Sequence, residues 1–122
     1  MKSDLKKMST PDLVDRFAAL GVGQYHAELR GELTKENKLI LQMRPLVEEL
    51  KARPGDQRTA LLPLLDHANV QVRLMAAKLT LAVAPATARQ VLQAIKDSGQ
   101  QPQALDAGMC LWNLDRGVFK PT

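Results

Sequence analysis

Apolar residues recur at steps of three and four along most of the chain, which is the period of a helix that buries one face. The first such group is Leu13, Val14, Phe17 and Leu20. The sequence Ser9-Thr10-Pro11-Asp12 offers a hydroxyl residue as the cap, proline at the first helical position and an acid in the first turn, so a helix is predicted to begin there. The Gly-Val-Gly sequence at residues 21–23 is predicted to end it, because glycine is common after a helix C-terminus.

A second apolar stripe lies between Gln24 and Arg53. Its members are Leu29, Leu33, Ile40, Met43, Val47 and Leu50. Pro45 lies inside this stretch and removes a backbone hydrogen bond, which costs about 3 kcal/mol in a regular helix. The sequence leaves two alternatives open, one kinked helix or two helices that meet near Arg44. The Arg-Pro-Gly-Asp sequence at residues 53–56 ends the stretch.

Residues 59–83 carry a more specific pattern. A leucine-rich segment with a proline is followed by an Asp-x-x-Asn turn at residues 66–69, then by Val72-Arg73 and by the alanines at 76 and 77. This pattern resembles a HEAT repeat, and it departs from the repeat at Thr80, where leucine is usual. A weaker copy follows after about thirty residues. The predicted core positions of the repeat are Leu62, Leu65, Val72 and Ala76.

Two further helices are predicted, over residues 85–97 and from Gln101-Pro102 to Gly117. The fold class is therefore all-α, as one domain of about five to seven helices over residues 1–122, with residues 1–9 as a flexible tail. The chain also resembles a bacterial family of unknown function that consists of small HEAT-like, all-helical proteins. That resemblance implies an α-α superhelix and brings no catalytic or binding residues with it.

Composition narrows the class of protein. The chain has 122 residues, of which 45% are hydrophobic and only 3% aromatic, so leucine-rich and alanine-rich helices are favoured over sheets. The net charge of +4 is a mild excess that is spread among acids. One cysteine excludes an intramolecular disulfide. Neither a secretory signal nor an apolar run of about 18 residues is present, so we expect a cytoplasmic protein that does not enter membranes.

The sequence contains no motif for a metal site, a cysteine nucleophile or a dinucleotide-binding loop. His26 and His67 lie in different segments and have no second ligand at metal-binding spacing. Cys110 has apolar neighbours, so an inert buried thiol is predicted. The glycines at 21 and 23 lack the third glycine and the preceding strand of a dinucleotide loop. We therefore predict a protein that is not an enzyme and that has no cofactor or metal.

The leading functional hypothesis is a protein-binding module that uses the concave groove of stacked helices. The candidate partner-binding residues are Gln71, Arg73, Lys78, Gln103, Asp106, Trp112 and Arg116. The predicted partner is an unidentified protein. The alternative is binding of the nucleic-acid backbone through Arg73, Lys78 and Arg89, which we do not expect because base-stacking aromatic residues are scarce.

Overall fold

Helices make up the regular structure of the computed structural model, which describes residues 2–122 and side chains from Asp4 onward. The α-helices are α1 (Lys2–Lys7), α2 (Thr10–Leu29), α3 (Leu33–Ala52), α4 (Val70–Leu79), α5 (Pro85–Ser98) and α6 (Gln103–Asp115). A 3₁₀ helix, Gln57–Asp66, lies between α3 and α4. Over the described residues there are thus seven helices and no strand, which confirms the predicted all-α class.

The helices form two compact units, Met1–Leu61 and Leu62–Thr122. In the first unit α3 packs against α2 and α1. In the second unit α5 packs against α4 and α6, and α4 also contacts α6. The expectation of one domain over residues 1–122 stays a prediction.

The helix α2 begins where the sequence predicted and ends later. The side chain of Ser9 caps it by accepting a hydrogen bond from the backbone N–H of Asp12 at 3.1 Å. The predicted end at residues 21–23 is wrong, because α2 continues to Leu29. A Cβ atom on Gly23 would lie 3.1 Å from Cδ1 of Leu39 on α3. This glycine therefore allows two helices to approach closely instead of ending one.

Both predicted alternatives for the stretch between Gln24 and Arg53 are wrong. The stretch is neither one kinked helix nor two helices that meet near Arg44, because it divides between Leu29 and Leu33. The backbone turns at Gly31, whose φ of +70° is a left-handed conformation that glycine adopts without strain. The helix α3 then runs through Pro45 without a break near Arg44. Of the predicted stripe, the last members are buried, namely Met43, Val47 and Leu50, and the first are exposed, namely Leu29, Leu33 and Ile40.

The prediction of a flexible tail over residues 1–9 is wrong for the part of the tail that is described. Residues 2–7 form α1, and its Leu5 side chain is buried. Nη2 of Arg53, just after α3, donates hydrogen bonds to the carbonyl oxygens of Leu5 (3.0 Å) and Met8 (2.6 Å). These bonds give the carbonyls at the C-terminus of α1 a charged donor, in addition to the backbone N–H of Met8 that donates to the Leu5 carbonyl at 3.2 Å. Met1 belongs to the same predicted tail and lies outside the described residues.

Three of the four predicted core positions are confirmed, because Leu65, Val72 and Ala76 are buried. Leu62 is only half-buried, and its neighbour Leu61 is fully buried instead. The physical reason is the 3₁₀ geometry of this segment, in which side chains three positions apart eclipse one another. Arg58 and Leu61 therefore share the buried side.

Candidate protein-binding surface

The second unit contains an antiparallel pair of helices, α5 and α6. Nη2 of Arg89 lies 2.6 Å from Oδ1 of Asp115, and side-chain carbons of Lys96 lie 3.6 Å from the position that a Cβ on Gly108 would occupy. The start of α5 therefore lies beside the end of α6. The buried positions of the pair are Ala88, Leu92 and Ile95 on α5 and Gln103, Ala104, Ala107, Cys110 and Leu111 on α6.

A row of large apolar side chains occupies the opposite, exposed face of α6. Leu105, Met109 and Trp112 are 65%, 46% and 53% exposed. Steps of four and three residues place them on one helix face, and we call them the α6 row. The guanidinium carbon of Arg116, one turn further on, lies 4.5 Å from the centre of the Trp112 ring, which is a cation–π contact.

A groove of about 510 Å³ lies beside the α6 row, between α5 and α6. Its walls include Arg89, Gln93 and Lys96 from α5 and Leu105 and Trp112 from α6. Gly108 belongs to the same lining, and the methylene carbons of Lys96 lie over it, 3.6 Å from the position of a Cβ. The α6 row thus borders a surface depression.

The charges around this surface have a positive excess. Two pairs of opposite charge flank it, Lys78 with Asp106 at 3.0 Å and Arg89 with Asp115 at 2.6 Å. Lys96 and Arg116 form no ion pair with any carboxylate of the described residues. Two cations are therefore available next to an apolar row.

Two of the seven candidate residues from the sequence do not line an open groove, which corrects that expectation. Gln71 and Gln103 are 8% and 2% exposed, and Nε2 of Gln103 donates a hydrogen bond to Oε1 of Gln71 at 3.1 Å. Leu74, on the same helix as Gln71, is buried as well. The physical reason is that α4 packs against α6, so these side chains become part of the interior.

Three other candidates make polar contacts within the chain. Lys78 and Asp106 pair with each other. Nη1 of Arg73 donates hydrogen bonds to the carbonyl oxygens of residues 67 and 68, at 2.7 and 2.9 Å. Asn69 caps α4 by accepting hydrogen bonds from two backbone N–H groups of its first turn. Arg73 and Asn69 therefore stabilise the turn before α4, whereas the Lys78–Asp106 pair joins the last turn of α4 to α6.

The last two candidates, Trp112 and Arg116, lie together on the surface at the α6 row. Sequence reasoning missed Leu105 and Met109, although their spacing from Trp112 was visible. The same helix also carries Ala104, Ala107 and Leu111 at helical spacing. The helical period thus predicts two apolar faces on α6, one with Leu105, Met109 and Trp112 and one with Ala104, Ala107 and Leu111. It does not indicate which of the two faces is buried.

Cys110 in the second unit is a free, buried cysteine. Burial raises the pKa of the Cys110 thiol, so the nucleophilic thiolate is disfavoured. Among the described residues no group of three or more His, Cys, Asp or Glu side chains is arranged to hold a metal ion.

No helix within residues 2–122 combines the length and the apolar character that a membrane span requires. A comparison with curated proteins gives no match. The chain is similar to a solved structure, the crystal structure of the protein RPA1889 from Rhodopseudomonas palustris CGA009. The two sequences are 55% identical, the TM-score is 0.95, and the match covers 97% of this chain and 98% of that one. Residues 11–115 match the family model described as Domain of unknown function (DUF2019). The chain therefore belongs to the DUF2019 family.

Proposed function

We propose that this protein is a non-catalytic protein-binding module and that its binding surface is the α6 row with the adjoining groove. The observation that carries the proposal is the exposure of Leu105, Met109 and Trp112 on three successive positions of one helix face. Single exposed apolar residues are ordinary on protein surfaces, whereas a contiguous apolar row beside a groove is typical of interaction sites. Tryptophan and arginine are also the residue types that contribute most to binding energy at interfaces.

Exposed leucines on α3 do not form an equivalent surface. Leu33 and Leu41 are 66% and 64% exposed, but the polar Asn37 lies between them on the same helix face. Ile40 adds a smaller exposed area, and this patch contains no aromatic residue. The α3 leucines therefore serve as a matched control for the α6 row.

We further propose that residues 59–83 are a HEAT-like repeat, with the 3₁₀ helix and α4 as its pair of helices and α5 and α6 as a second pair. The order of the helices and the Asn69 cap support this assignment. The binding surface then differs from the predicted groove, because Gln71 and Gln103 are buried. A cytoplasmic location is part of the proposal, and the single cysteine, which is unpaired, supports it.

The alternative function, binding of the nucleic-acid backbone, is not favoured by a specific observation. Each of its three named cations has an acceptor within the chain: Arg73 binds backbone carbonyls, Lys78 pairs with Asp106, and Arg89 pairs with Asp115. Phosphate binding would have to break these contacts. It also requires several cations on one surface, since each neutralised phosphate adds one counterion-release contribution.

Quantitative affinity capture from native lysate tests the proposed function. The tagged full chain is compared with a Met109→Ala/Trp112→Ala variant and with a Leu33→Ala/Leu41→Ala control of similar exposed area. We expect the wild type and the control to retain the same proteins and the α6 variant to lose them. Equal capture by all three chains, or loss from the α3 control alone, would contradict the proposal.

A further inference from the structure

We propose that the partner segment is an acidic amphipathic helix that lies along the α6 row and pairs its carboxylates with Lys96 and Arg116. This inference rests on the proposed function and adds the chemistry of the partner. It follows from three features of the same surface: the length of the apolar row, the shape of the groove, and the position of the two cations without ion-pair partners.

The apolar row sets the length of the partner segment. Leu105 and Trp112 are seven residues apart, which is about 10 Å along an α-helix. A partner helix of two to three turns covers this distance and meets the row with apolar residues at steps of three and four. The methylene carbons of Lys96 lie over Gly108, 3.6 Å from the position of a Cβ, so they form an apolar edge of the row on which the partner's side chains pack.

The two cations set the charge pattern of the partner. Lys96 lies level with Gly108 on the neighbouring helix. Arg116 follows Gly108 by eight residues, directly after the end of α6, so the two cations are separated by about 12 Å along the α6 axis. Carboxylates seven or eight residues apart on one face of a partner helix span the same distance. Lys78 pairs with Asp106 and Arg89 pairs with Asp115. Asp97, directly after Lys96, accepts a hydrogen bond from Nε2 of Gln93 at 3.0 Å, so one positive charge remains in excess around this surface. The remaining positive charge therefore selects an acidic segment.

Two other occupants fit this surface less well. A second copy of the chain, docked through the same face about a twofold axis, would bring a surface of the same net positive charge to this one, and like charges repel. A nucleic acid would find only two unpaired cations and one exposed aromatic ring, Trp112, whereas backbone binders neutralise several phosphates together.

Selection of random 16-residue peptides displayed on phage tests the inference with the intact chain as bait. Binding peptides are sequenced, synthesised with a fluorescent label, and titrated by anisotropy against the wild type and variants. We expect enrichment of apolar residues at steps of three and four and of Asp or Glu seven or eight positions apart. Trp112→Ala should weaken these peptides at least about 30-fold, as for an interface hot spot.

A charge swap then isolates the electrostatic part. Lys96→Glu should weaken the acidic peptides about five- to tenfold, and replacing one peptide Glu by Lys should restore the affinity for that variant. Lys35→Glu on α3 changes the net charge equally at an exposed position outside this surface, and it should leave affinity unchanged. Circular dichroism of each variant verifies that it is folded.

The outcomes separate the two proposals. Peptides that depend on Trp112 but are not acidic, or that bind the Lys96→Glu and wild-type chains equally, would overturn the acidic-helix inference and leave the protein-binding function in place. Recovery of no Trp112-dependent peptide would contradict both. Sub-micromolar, salt-sensitive binding of a labelled DNA duplex that Lys96→Glu abolishes would assign the positive charge to phosphate recognition and would also overturn the inference.

Discussion

Two arginines, each directly after the end of a helix, differ in what they contact. Arg53 follows α3 in the first unit, and Arg116 follows α6 in the second unit. Arg53 has a side chain that is only 16% exposed, and it bonds to carbonyl oxygens at the end of α1. Its remaining hydrogen bonds join Thr10 Oγ1 at 3.1 Å and Glu49 Oε2 at 2.8 Å. Arg116 instead lies over the exposed ring of Trp112 and forms no ion pair within the described residues.

This difference separates charged side chains that stabilise the fold from charged side chains that can bind another molecule. A charged group that satisfies backbone carbonyls contributes to folding, and moving it would leave buried acceptors without partners. A cation that stacks on an exposed ring loses little by binding a new partner. Paired substitutions in the two regions test this distinction.

The largest contrast is expected between two leucines of the second unit. Leu92 is fully buried, so Leu92→Ala should lower the free energy of unfolding by about 2–5 kcal/mol through lost burial and a cavity. Leu105 is 65% exposed, and Leu105→Ala should change it by less than about 0.5 kcal/mol. Urea denaturation measures both. Similar losses for the two variants would show that the exposed face of α6 is wrongly assigned.

The second contrast is between the two arginines. Arg53→Met should lower the free energy of unfolding by about 2–3 kcal/mol, because carbonyls of Leu5 and Met8 lose a charged donor. Hydrogen exchange at α1 should then become faster than in the wild type. Arg116→Met should be nearly silent in the same measurements. Unchanged exchange at α1 in Arg53→Met would refute the capping role.

The third contrast is between two helical glycines. A Cβ on Gly108 meets only Lys96 carbons at 3.6 Å, so Gly108→Ala should stabilise the protein by about 0.5–1 kcal/mol through helix propensity. A Cβ on Gly23 would lie 3.1 Å from Leu39, so Gly23→Ala should not gain this stability. Thermal unfolding of the two variants provides the comparison.

The smallest effect concerns two acidic residues in ion pairs. The side-chain hydrogen bond from Arg58 lowers the pKa of Asp56 below its ordinary value of 3.8. A carboxyl with a lowered folded-state pKa contributes stability above its unfolded-state pKa, and this contribution disappears as the pH falls through the folded-state value. Asp56→Asn suits the positive φ of 52° at this position, since asparagine tolerates that conformation.

Asp56→Asn should therefore cost less than about 1 kcal/mol at neutral pH, because Asp56 is partly exposed and the pair is screened by solvent. Its difference from the wild type should disappear as the pH falls through the lowered folded-state pKa of Asp56. Asp106→Asn removes the more exposed pair with Lys78 and should have a still smaller effect at neutral pH. Urea denaturation across this pH range distinguishes the two. A difference that persists in acid would point to a packing change instead of a charge effect.

Local chemistry made several features of the fold predictable. The Ser9 and Asn69 caps, the proline at the start of α5, and the left-handed glycines at 99 and 117 act through backbone geometry within a few residues. Such signals need no knowledge of distant contacts. The same holds for the all-α class, since the period of three and four is a property of each helix by itself.

Glycines and glutamines in helices were the residues that the sequence left ambiguous. Gly23 and Gly31 have the same local propensities, but Gly23 lies inside α2 because α3 packs against it there, and Gly31 turns the chain. Gln71 and Gln103 were predicted to lie on the surface because their side chains are polar. In the structure they are buried between α4 and α6, where they form a hydrogen bond with each other. In both cases a neighbour distant in sequence decided the outcome.

The amino-acid sequence by itself determined that the chain is helical, where several of its helices begin and end, and that Trp112 and Arg116 fall one turn apart on the last helix. Only the tertiary structure decided which face of α6 is buried and which of the surrounding cations are already paired. The physical reason is that helix periods and caps arise from contacts within one or two turns. Burial and ion pairing depend on which helices pack together, as Lys78 and Asp106 show across 28 positions of the sequence.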